Sequence, residues 1–325
     1  MARTLTFGIL GLQDPEIFGW IETVAAHPAC RLGPVWDPDP ELVGRVAERF
    51  GAEPAPERPP SGRPVAGPDY VLHHPVAEAV LVGSAPDRRR RWVERAIQAR
   101  KHWLAPGPFA PFIQTFEILY LRTREGGRAG LVAMPRLFEP ALVRAAELVR
   151  AGQAGRVLGA SGTFWVKAGA DSGGDLPICP GLELFAYVVS TFGRPRRLYA
   201  EEQSGRLVSV VARLEDEGVL TLEFGRVLPA DLPLQAEAVF EVVGETGAFR
   251  ADAARGTVAF YGAGVEHHPA PPNLRAVILE EFIRLAAEKD PAARLRPLEG
   301  LLAAYRVAEA VRRSLKGGQA VEITW

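Results

Sequence analysis

Strand-like and helix-like hydrophobic patterns alternate through the first third of the chain. The apolar run Leu5–Leu10 predicts a buried strand, which Gly11 ends. Asp14, Pro15 and Glu16 then predict the start of a helix, because aspartate caps a helix and proline suits its first position. Alternating strands and helices indicate a parallel sheet joined by right-handed crossovers. Further strands are predicted at residues 31–36, 79–83 and 102–104, and helices at residues 40–50, 70–74 and 88–100.

The second half of the chain has a different pattern, with strands that follow one another directly. Strands without intervening helices predict a mostly antiparallel sheet. The sequence therefore predicts an α/β protein of two domains: residues 1–126 with a parallel sheet, and residues 127–325 as an α+β domain with a large, mostly antiparallel open sheet. The last helix can pack back on the first domain. The predicted strands cover residues 157–166, 197–203, 207–214, 219–224, 236–243, 248–251, 257–261 and 321–324, and the helices residues 140–151, 182–192, 274–287 and 297–315.

Composition narrows the classes of function. The chain has 325 residues, too many for one core, and its 47% hydrophobic and 24% charged residues are typical of a globular protein. A net charge of −1 gives no reason to expect nucleic acid or an anionic membrane as partner. No apolar stretch approaches the ~20 residues of a membrane span. Two distant cysteines, Cys30 and Cys179, predict free thiols, a cytoplasmic location and no metal site.

A nucleotide site is predicted where the first strand meets the first helix. A strand, a glycine turn and a helix N-terminus offer backbone N–H groups and a positive dipole end to a diphosphate. Asp37 ends the second strand, where a carboxylate can accept ribose hydroxyls and would repel a 2′-phosphate, so NAD is favoured over NADP. The G-x-G-x-x-G fingerprint is incomplete, however, because Gln13 and Glu16 replace its second and third glycines. A turn that binds no dinucleotide is the alternative.

Several segments, in a fairly specific order and spacing, carry a resemblance to a known family. They are VWDPDP and AERFG at residues 35–40 and 47–51, AVLVGSAP at 79–86, RKHWL at 100–104, LVRAGQAGRV at 148–157, VGETGA at 243–248, and the C-terminal stretch 308–321. Through them nearly the whole chain resembles the Gfo/Idh/MocA family of glucose–fructose oxidoreductase and inositol dehydrogenase. The resemblance implies a Rossmann-type domain, a second domain with an open sheet, and NAD(P)-dependent oxidation or reduction of a sugar, polyol or related carbonyl compound.

The resemblance also implies partners and a set of cofactor contacts. A small-molecule substrate is expected, and the outer face of the second sheet commonly serves for dimer formation, so a homodimer or homotetramer is expected. Within the basic run 88–91, predicted as a mostly solvated helix face, Arg90 stands where the family often has a histidine and can touch cofactor phosphates. The turn and the resemblance together give these cofactor-binding positions: Gly11, Leu12, Gln13, Asp37, Ser84, Ala85, Pro86, Arg90 and Gly107.

The residues that normally carry the family's proton transfer are replaced. Its Glu-Lys-Pro motif falls on residues 106–108, which places Gly107 where the lysine would be. Its histidine and aspartate fall on Glu183 and Ala186. A histidine would shuttle the hydroxyl proton near neutral pH, whereas Glu183 can act as a base there only if burial raises its pKa.

A substitute acid–base set is one interpretation of the charged residues after the strand that ends near Lys167. Asp171 and Asp175 follow it, so the candidate catalytic residues are Glu183, Lys167 and Asp175, although a solvated loop is the simpler interpretation of the last two. Two functions stay open. One is an oxidoreductase with altered acid–base residues, and the other is a catalytically silent relative, without a bound cofactor, that binds a small ligand or acts in an assembly.

Overall fold

The computed structural model describes residues 4–58, 65–168, 175–234 and 236–325. The chain forms two compact units. Unit 1 consists of Met1–Ala110, Gln114–Ala133 and Arg275–Leu298, and unit 2 of Pro111–Ile113, Met134–Leu274 and Glu299–Trp325. The boundary predicted after residue 126 is therefore too early, because the strand at residues 130–133 pairs with the first sheet. It also misses the later segment that returns to unit 1.

Unit 1 contains a six-stranded sheet in which all strand pairs are parallel. Its strands are β1 (Leu5–Leu10), β2 (Cys30–Trp36), β3 (Glu53–Pro54), β4 (Ala79–Val82), β5 (His102–Pro106) and β6 (Gly130–Ala133). The order across the sheet is β3-β2-β1-β4-β5-β6. The chain reverses direction across the sheet between β1 and β4, and ligands of such sheets bind in the crevice at the carboxyl ends of those strands.

The helices of this part of the chain are α1 (Ile17–Ala26), α2 (Pro40–Phe50), α3 (Gly67–His73), α4 (Pro86–Gln98) and α5 (Ile113–Gly126). Helix α2 has the predicted bounds. The Asp39 carboxylate accepts the Glu41 N–H at 2.9 Å, and Gly51 ends the helix at a φ of 67°. Helix α1 begins two residues later than predicted, because the Asp14 carboxylate accepts the Glu16 N–H at 2.7 Å and holds residues 14–16 in a turn.

Unit 2 contains a nine-stranded sheet. Its strands are β7 (Val157–Lys167), β8 (Pro195–Gln203), β9 (Leu207–Leu214), β10 (Val219–Leu228), β11 (Ala236–Gly244), β12 (Ala248–Asp252), β13 (Thr257–Phe260), β14 (Gly264–His267) and β15 (Val321–Glu322). The order is β14-β13-β12-β11-β7-β10-β9-β8-β15. The β7–β10 pair is parallel and the other pairs of neighbouring strands in this sheet are antiparallel, which confirms the predicted mostly antiparallel sheet.

Helices α6 (Pro140–Arg150) and α7 (Gly181–Phe192) supply the apolar side chains that pack on one face of this sheet. The ring centroids of Phe185 and Phe224 lie 5.2 Å apart, and those of Tyr187 and Phe240 lie 4.3 Å apart. The other face carries exposed side chains, among them Val211, which is 50% exposed. The alternation of buried and exposed residues along β9 and β10 follows from this one-sided cover.

Two further helices complete the described chain, α8 (Leu274–Ala287) and α9 (Pro291–Gly317). Helix α9 was predicted to begin at Pro297 but begins six residues earlier, at Pro291. The Asp290 carboxylate accepts the N–H groups of Ala292 and Ala293 at 3.0 and 3.3 Å, which caps the earlier start. Among the residues that the structure describes, no helix has the length and apolar character to cross a membrane.

Candidate functional site

The turn after β1 depends on a glycine. Gly11 has a φ of 84°, and a Cβ at this position would lie 2.7 Å from the backbone nitrogen of Ser84. The Gly11 N–H donates to the Trp36 carbonyl at 2.8 Å. The ends of β1, β2 and β4 therefore meet at one point, and only a residue without a side chain fits there.

The carboxylate of Asp37 lies at this meeting point and is 5% exposed. The Leu12 N–H donates to its Oδ2 at 2.6 Å, and the Asp39 N–H donates to its Oδ1 at 2.8 Å. The side-chain amide of Gln13 donates to both oxygens, at 3.1 and 3.0 Å. The acid predicted to hold the ribose is thus held in place by the glycine turn itself.

Helix α1 presents an uncapped N-terminus beside this acid. Glu16 stands at the N-cap position without a side-chain hydrogen bond to the helix, and the N–H groups of Phe18 and Gly19 meet no acceptor within the described ranges. The Glu16 carboxylate instead pairs with Arg275 of α8. The Arg275 guanidinium also lies close to Gly19, because a Cβ added to this glycine would be 3.0 Å from it. The anionic side chain that replaces a fingerprint glycine is therefore neutralised by a cation at the helix N-terminus.

The end of β4 supplies the other wall of the crevice. The Ser84 hydroxyl is buried and has no hydrogen-bond partner in the described part of the chain. Ala85 is the N-cap of α4 and Pro86 its first residue. The Arg90 side chain is 45% exposed, and its Nε donates to Glu94 at 3.0 Å, one turn further along the helix.

Gly107 follows β5, and its N–H donates to the Ala133 carbonyl of β6 at 3.1 Å. The structure thus gathers five of the predicted cofactor positions at the ends of β1, β2 and β4, namely Gly11, Leu12, Gln13, Asp37 and Ser84. Ala85 and Pro86 follow directly, Arg90 points to Glu94, and Gly107 brings no side chain to the end of β5.

A buried ion pair at the crevice was not predicted. Arg89 is 2% exposed, and its Nη2 donates to the carboxylate of Asp14. The same guanidinium donates to the carbonyls of Ser84 and Pro106, each at 2.9 Å in its shortest contact. Burial lowers the pKa of Arg89, and the facing Asp14 carboxylate opposes that shift. Arg89 therefore joins the glycine turn to the ends of β4 and β5.

The predicted solvated face of residues 88–91 is wrong at Arg89. Helix α4 buries Trp92, Val93 and Ala96 against the sheet, and Arg89 lies three, four and seven residues before them on the same face. This spacing is visible in the sequence and could have identified Arg89 as buried. Its partner Asp14 could not be found in that way, because the contact joins positions 75 residues apart.

Glu183 lies in the first turn of α7 in unit 2 and is partly buried. Its Oε1 accepts the backbone N–H of Arg136 at 2.6 Å. Arg136 also pairs with Glu139, which is 5% exposed. Burial raises the pKa of Glu183 to about 7, with a smaller raising effect from Glu139, while the charge and the N–H of Arg136 act in the opposite direction. A carboxyl group with this pKa can accept or donate a proton near neutral pH.

The other two candidate catalytic residues are not joined to Glu183 by any hydrogen bond or ion pair among the described residues. Lys167 is partly buried at the end of β7. The Asp175 carboxylate forms a bidentate ion pair with Arg312 of α9, at 2.6 and 2.8 Å. Asp171 lies outside the described residues. Within the described ranges, no group of three histidine, cysteine or acidic residues could hold a metal ion.

Comparison with solved structures finds the same fold in oxidoreductases. An NAD-binding oxidoreductase from Klebsiella pneumoniae aligns over 99% of this chain and 100% of its own, with a TM-score of 0.82 and 16% identity. A myo-inositol dehydrogenase from Corynebacterium glutamicum aligns over 99% of both chains, with a TM-score of 0.75 and 17% identity. The chain therefore has the fold of the Gfo/Idh/MocA oxidoreductases, as the resemblance implied.

Sequence comparison gives a partial match. The chain is 24% identical over 165 residues to dTDP-3,4-didehydro-2,6-dideoxy-alpha-D-glucose 3-reductase from Actinomadura kijaniata. The match covers 51% of this chain and 47% of that reductase, so it spans about half the length of each. No model of a protein family matches the chain.

Proposed function

We propose that this protein is an NAD-dependent oxidoreductase that acts on a sugar, a polyol or a related small carbonyl or hydroxyl compound. The observation that carries the proposal is the position of Asp37, a buried carboxylate at the end of β2 beside the glycine turn of a β3-β2-β1-β4-β5-β6 sheet. A carboxylate at this place recognises the ribose of a dinucleotide. The solved relatives named above and the sugar reductase support the reaction class.

The residues of unit 1 fit a dinucleotide. Gly11 lets the turn lie against the backbone of Ser84. The N–H groups of Phe18 and Gly19, which meet no acceptor among the described residues, suit a diphosphate. The Ser84 hydroxyl, buried and without a partner in the described ranges, offers a hydrogen bond to a ligand at the end of β4. The nicotinamide of a bound cofactor would supply the hydride acceptor or donor.

NAD is the proposed cofactor rather than NADP. The carboxylate of Asp37 is an acceptor, so it favours hydroxyl groups and repels a 2′-phosphate. Arg275 is paired with Glu16 at the N-terminus of α1. Arg90 is paired with Glu94 and is therefore less available to balance a third phosphate.

We assign proton transfer to Glu183. Oxidation of a secondary alcohol removes a hydride from carbon and a proton from oxygen, and the proton needs an acceptor. Glu183 has a pKa of about 7 and replaces the family's histidine. Asp175 is held by Arg312, and Lys167 is assigned no step of its own.

The proposal is tested by turnover. Purified protein is incubated with NAD⁺ and a panel of aldoses, inositols and sugar lactones, and formation of NADH is followed by absorbance. The expected result is turnover of at least one polyhydroxylated compound and its loss, by about 10²-fold or more, in Glu183→Gln. Turnover that is unchanged in Glu183→Gln would remove the assignment of the base, and absence of both NADH binding and turnover would remove the function.

A second candidate is a silent relative that binds a small ligand or serves in an assembly. Gly107 favours it, because a glycine in place of the family's lysine can neither transfer a proton nor hold a substrate. Sugar binding without NADH binding, measured by calorimetry, would select this function over the first.

We also propose that the protein forms a homodimer or homotetramer through the open face of the nine-stranded sheet. This face includes Tyr199, Val211 and Val219. Tyr199 of β8 lies opposite Val211 of β9, and Val219 of β10 lies opposite Arg213, two residues further along β9. They line a shallow apolar groove together with Arg197 and Arg213. An exposed apolar strip on a sheet face of this size is typical of self-association.

A further inference from the structure

The hydrogen bonds around Asp37 use all of its acceptor capacity. A carboxylate has about four lone-pair sites, two on each oxygen. Oδ2 accepts from the Leu12 N–H and the Gln13 amide, and Oδ1 accepts from the Asp39 N–H and the same amide. Two of the four contacts come from the protein backbone. The other two come from a single flexible side chain, that of Gln13.

The side chain of Gln13 belongs to an exposed residue, whereas Asp37 is 5% exposed. Its amide reaches the carboxylate from an exposed residue, whereas the contact with the Leu12 N–H is buried. The ribose of a dinucleotide that enters the crevice would meet this amide at the carboxylate. An amide NH₂ and a ribose hydroxyl are both donors, so the two groups compete for the same oxygens.

We propose that Gln13 is a specificity-determining residue that occupies the ribose-binding oxygens of Asp37 and weakens NADH binding until its amide is displaced. The inference rests on the proposed function, because it concerns the same crevice. A ligand without an adenosine 2′-hydroxyl has one donor fewer for Asp37, so Gln13 alters its binding less. Gln13 therefore lowers the affinity for NADH. It also lowers the preference for NADH over its 2′-deoxy analogue.

The test replaces the amide without shortening the side chain. Gln13→Met keeps the length and the exposed position but has no N–H group to donate. Gln98→Met, at an exposed position in α4 of the same unit, is the matched control. Dissociation constants are measured by the fluorescence of NADH and of NADH that lacks the adenosine 2′-hydroxyl, and thermal unfolding verifies that each variant is folded.

We expect Gln13→Met to bind NADH about tenfold more tightly than the wild type. The methionine cannot donate the hydrogen bond by which the Gln13 amide competes for the Asp37 carboxylate. The 2′-deoxy analogue is expected to gain less affinity than NADH does, and the Gln98→Met control is expected to show unchanged constants. Equal or weaker NADH binding by Gln13→Met, with measurable binding by the wild type, overturns the role of Gln13 and leaves the proposed function standing. Absence of binding in every variant overturns both.

Discussion

The charge state of Glu183 links the candidate base to the stability of unit 2. Its pKa in the folded protein is about 7, above the usual value of 4.5, so the folded state holds this proton more tightly than the unfolded state. The free energy of unfolding should therefore fall as pH rises from about 4.5 to 7, and the effect is complete above pH 7.

Glu183→Gln removes this pH dependence and keeps an acceptor for the Arg136 N–H. At pH 8 we expect the variant to be more stable than the wild type by about 2 kcal/mol, with a smaller difference at pH 5. Urea unfolding at pH 5, 6, 7 and 8 measures it, with the exposed Glu57→Gln as control. A wild type and variant with parallel profiles would contradict the raised pKa.

Gly11 is the residue whose replacement should damage unit 1 most directly. Gly11→Ala puts a Cβ 2.7 Å from the Ser84 backbone at a φ of 84°, so strain and overpacking add. We expect a loss of about 3 kcal/mol or more in the free energy of unfolding. Gly51→Ala is the control, because its φ is 67° and a Cβ there meets open space. Its expected loss is about 1 kcal/mol, and equal losses in urea titrations would show that the contact with Ser84 is not tight.

The residues of the candidate site were predictable to different degrees. Gly11 and Asp37 follow strands with strong apolar patterns, so their place at the sheet edge could be inferred. The hydrogen bonds of Gln13 to Asp37 and of Asp14 to Arg89 join residues 24 and 75 positions apart. Such contacts depend on the side-chain geometry of a folded sheet, which periodicity does not encode.

At the scale of elements, the Asp14–Arg89 pair joins the turn before α1 to helix α4. Arg89→Met would leave the Asp14 carboxylate buried without its cation, and we expect a loss of about 3–5 kcal/mol in the free energy of unfolding. Arg90→Met, at the neighbouring exposed position paired with Glu94, should change stability by about 0.5 kcal/mol or less.

The double variant Asp14→Asn/Arg89→Met removes both charges and should recover part of that loss. Chemical unfolding of the three variants provides the measurement. A loss for Arg89→Met no larger than that for Arg90→Met would mean that the pair does not hold the elements together.

Element bounds were predictable where the signal at the helix end is local. Helix α2 has an aspartate cap and a terminal glycine next to its ends, and both ends were correct. The start of α9 was predicted at Pro297, but the cap is Asp290 and the proline lies inside the helix. Helix α5 and strands β6 and β14 received no prediction.

At the scale of the whole molecule, the order of periodicities was sufficient to predict two sheets of different type. Continuous apolar strands separated by helices gave the parallel sheet, and alternating strands in succession gave the antiparallel one. Residues 275–298 belong to unit 1, and the sequence did not predict this assignment. Contacts between distant parts of the chain leave no local pattern.

A single charged side chain introduced on the open sheet face tests whether the protein self-associates through it. Val211→Glu places a carboxylate on the exposed strip of β9, and burying it in an interface carries a large desolvation penalty. We expect a shift from oligomer to monomer in light scattering coupled to gel filtration. Val76→Glu, at a position in unit 1 that is 54% exposed, should leave the mass unchanged. A Val211→Glu protein with the wild-type mass would exclude this face as the interface.

Binding of NAD in the crevice of unit 1 through Asp37 is tested by a titration of the wild type and of Asp37→Ala with NADH and NADPH. We expect saturable binding of NADH by the wild type, NADPH binding at least about tenfold weaker, and loss of that preference in Asp37→Ala. The thermal transition of Asp37→Ala verifies that this variant is folded. Equal binding of both dinucleotides, or NADH binding that does not depend on Asp37, would contradict the claim.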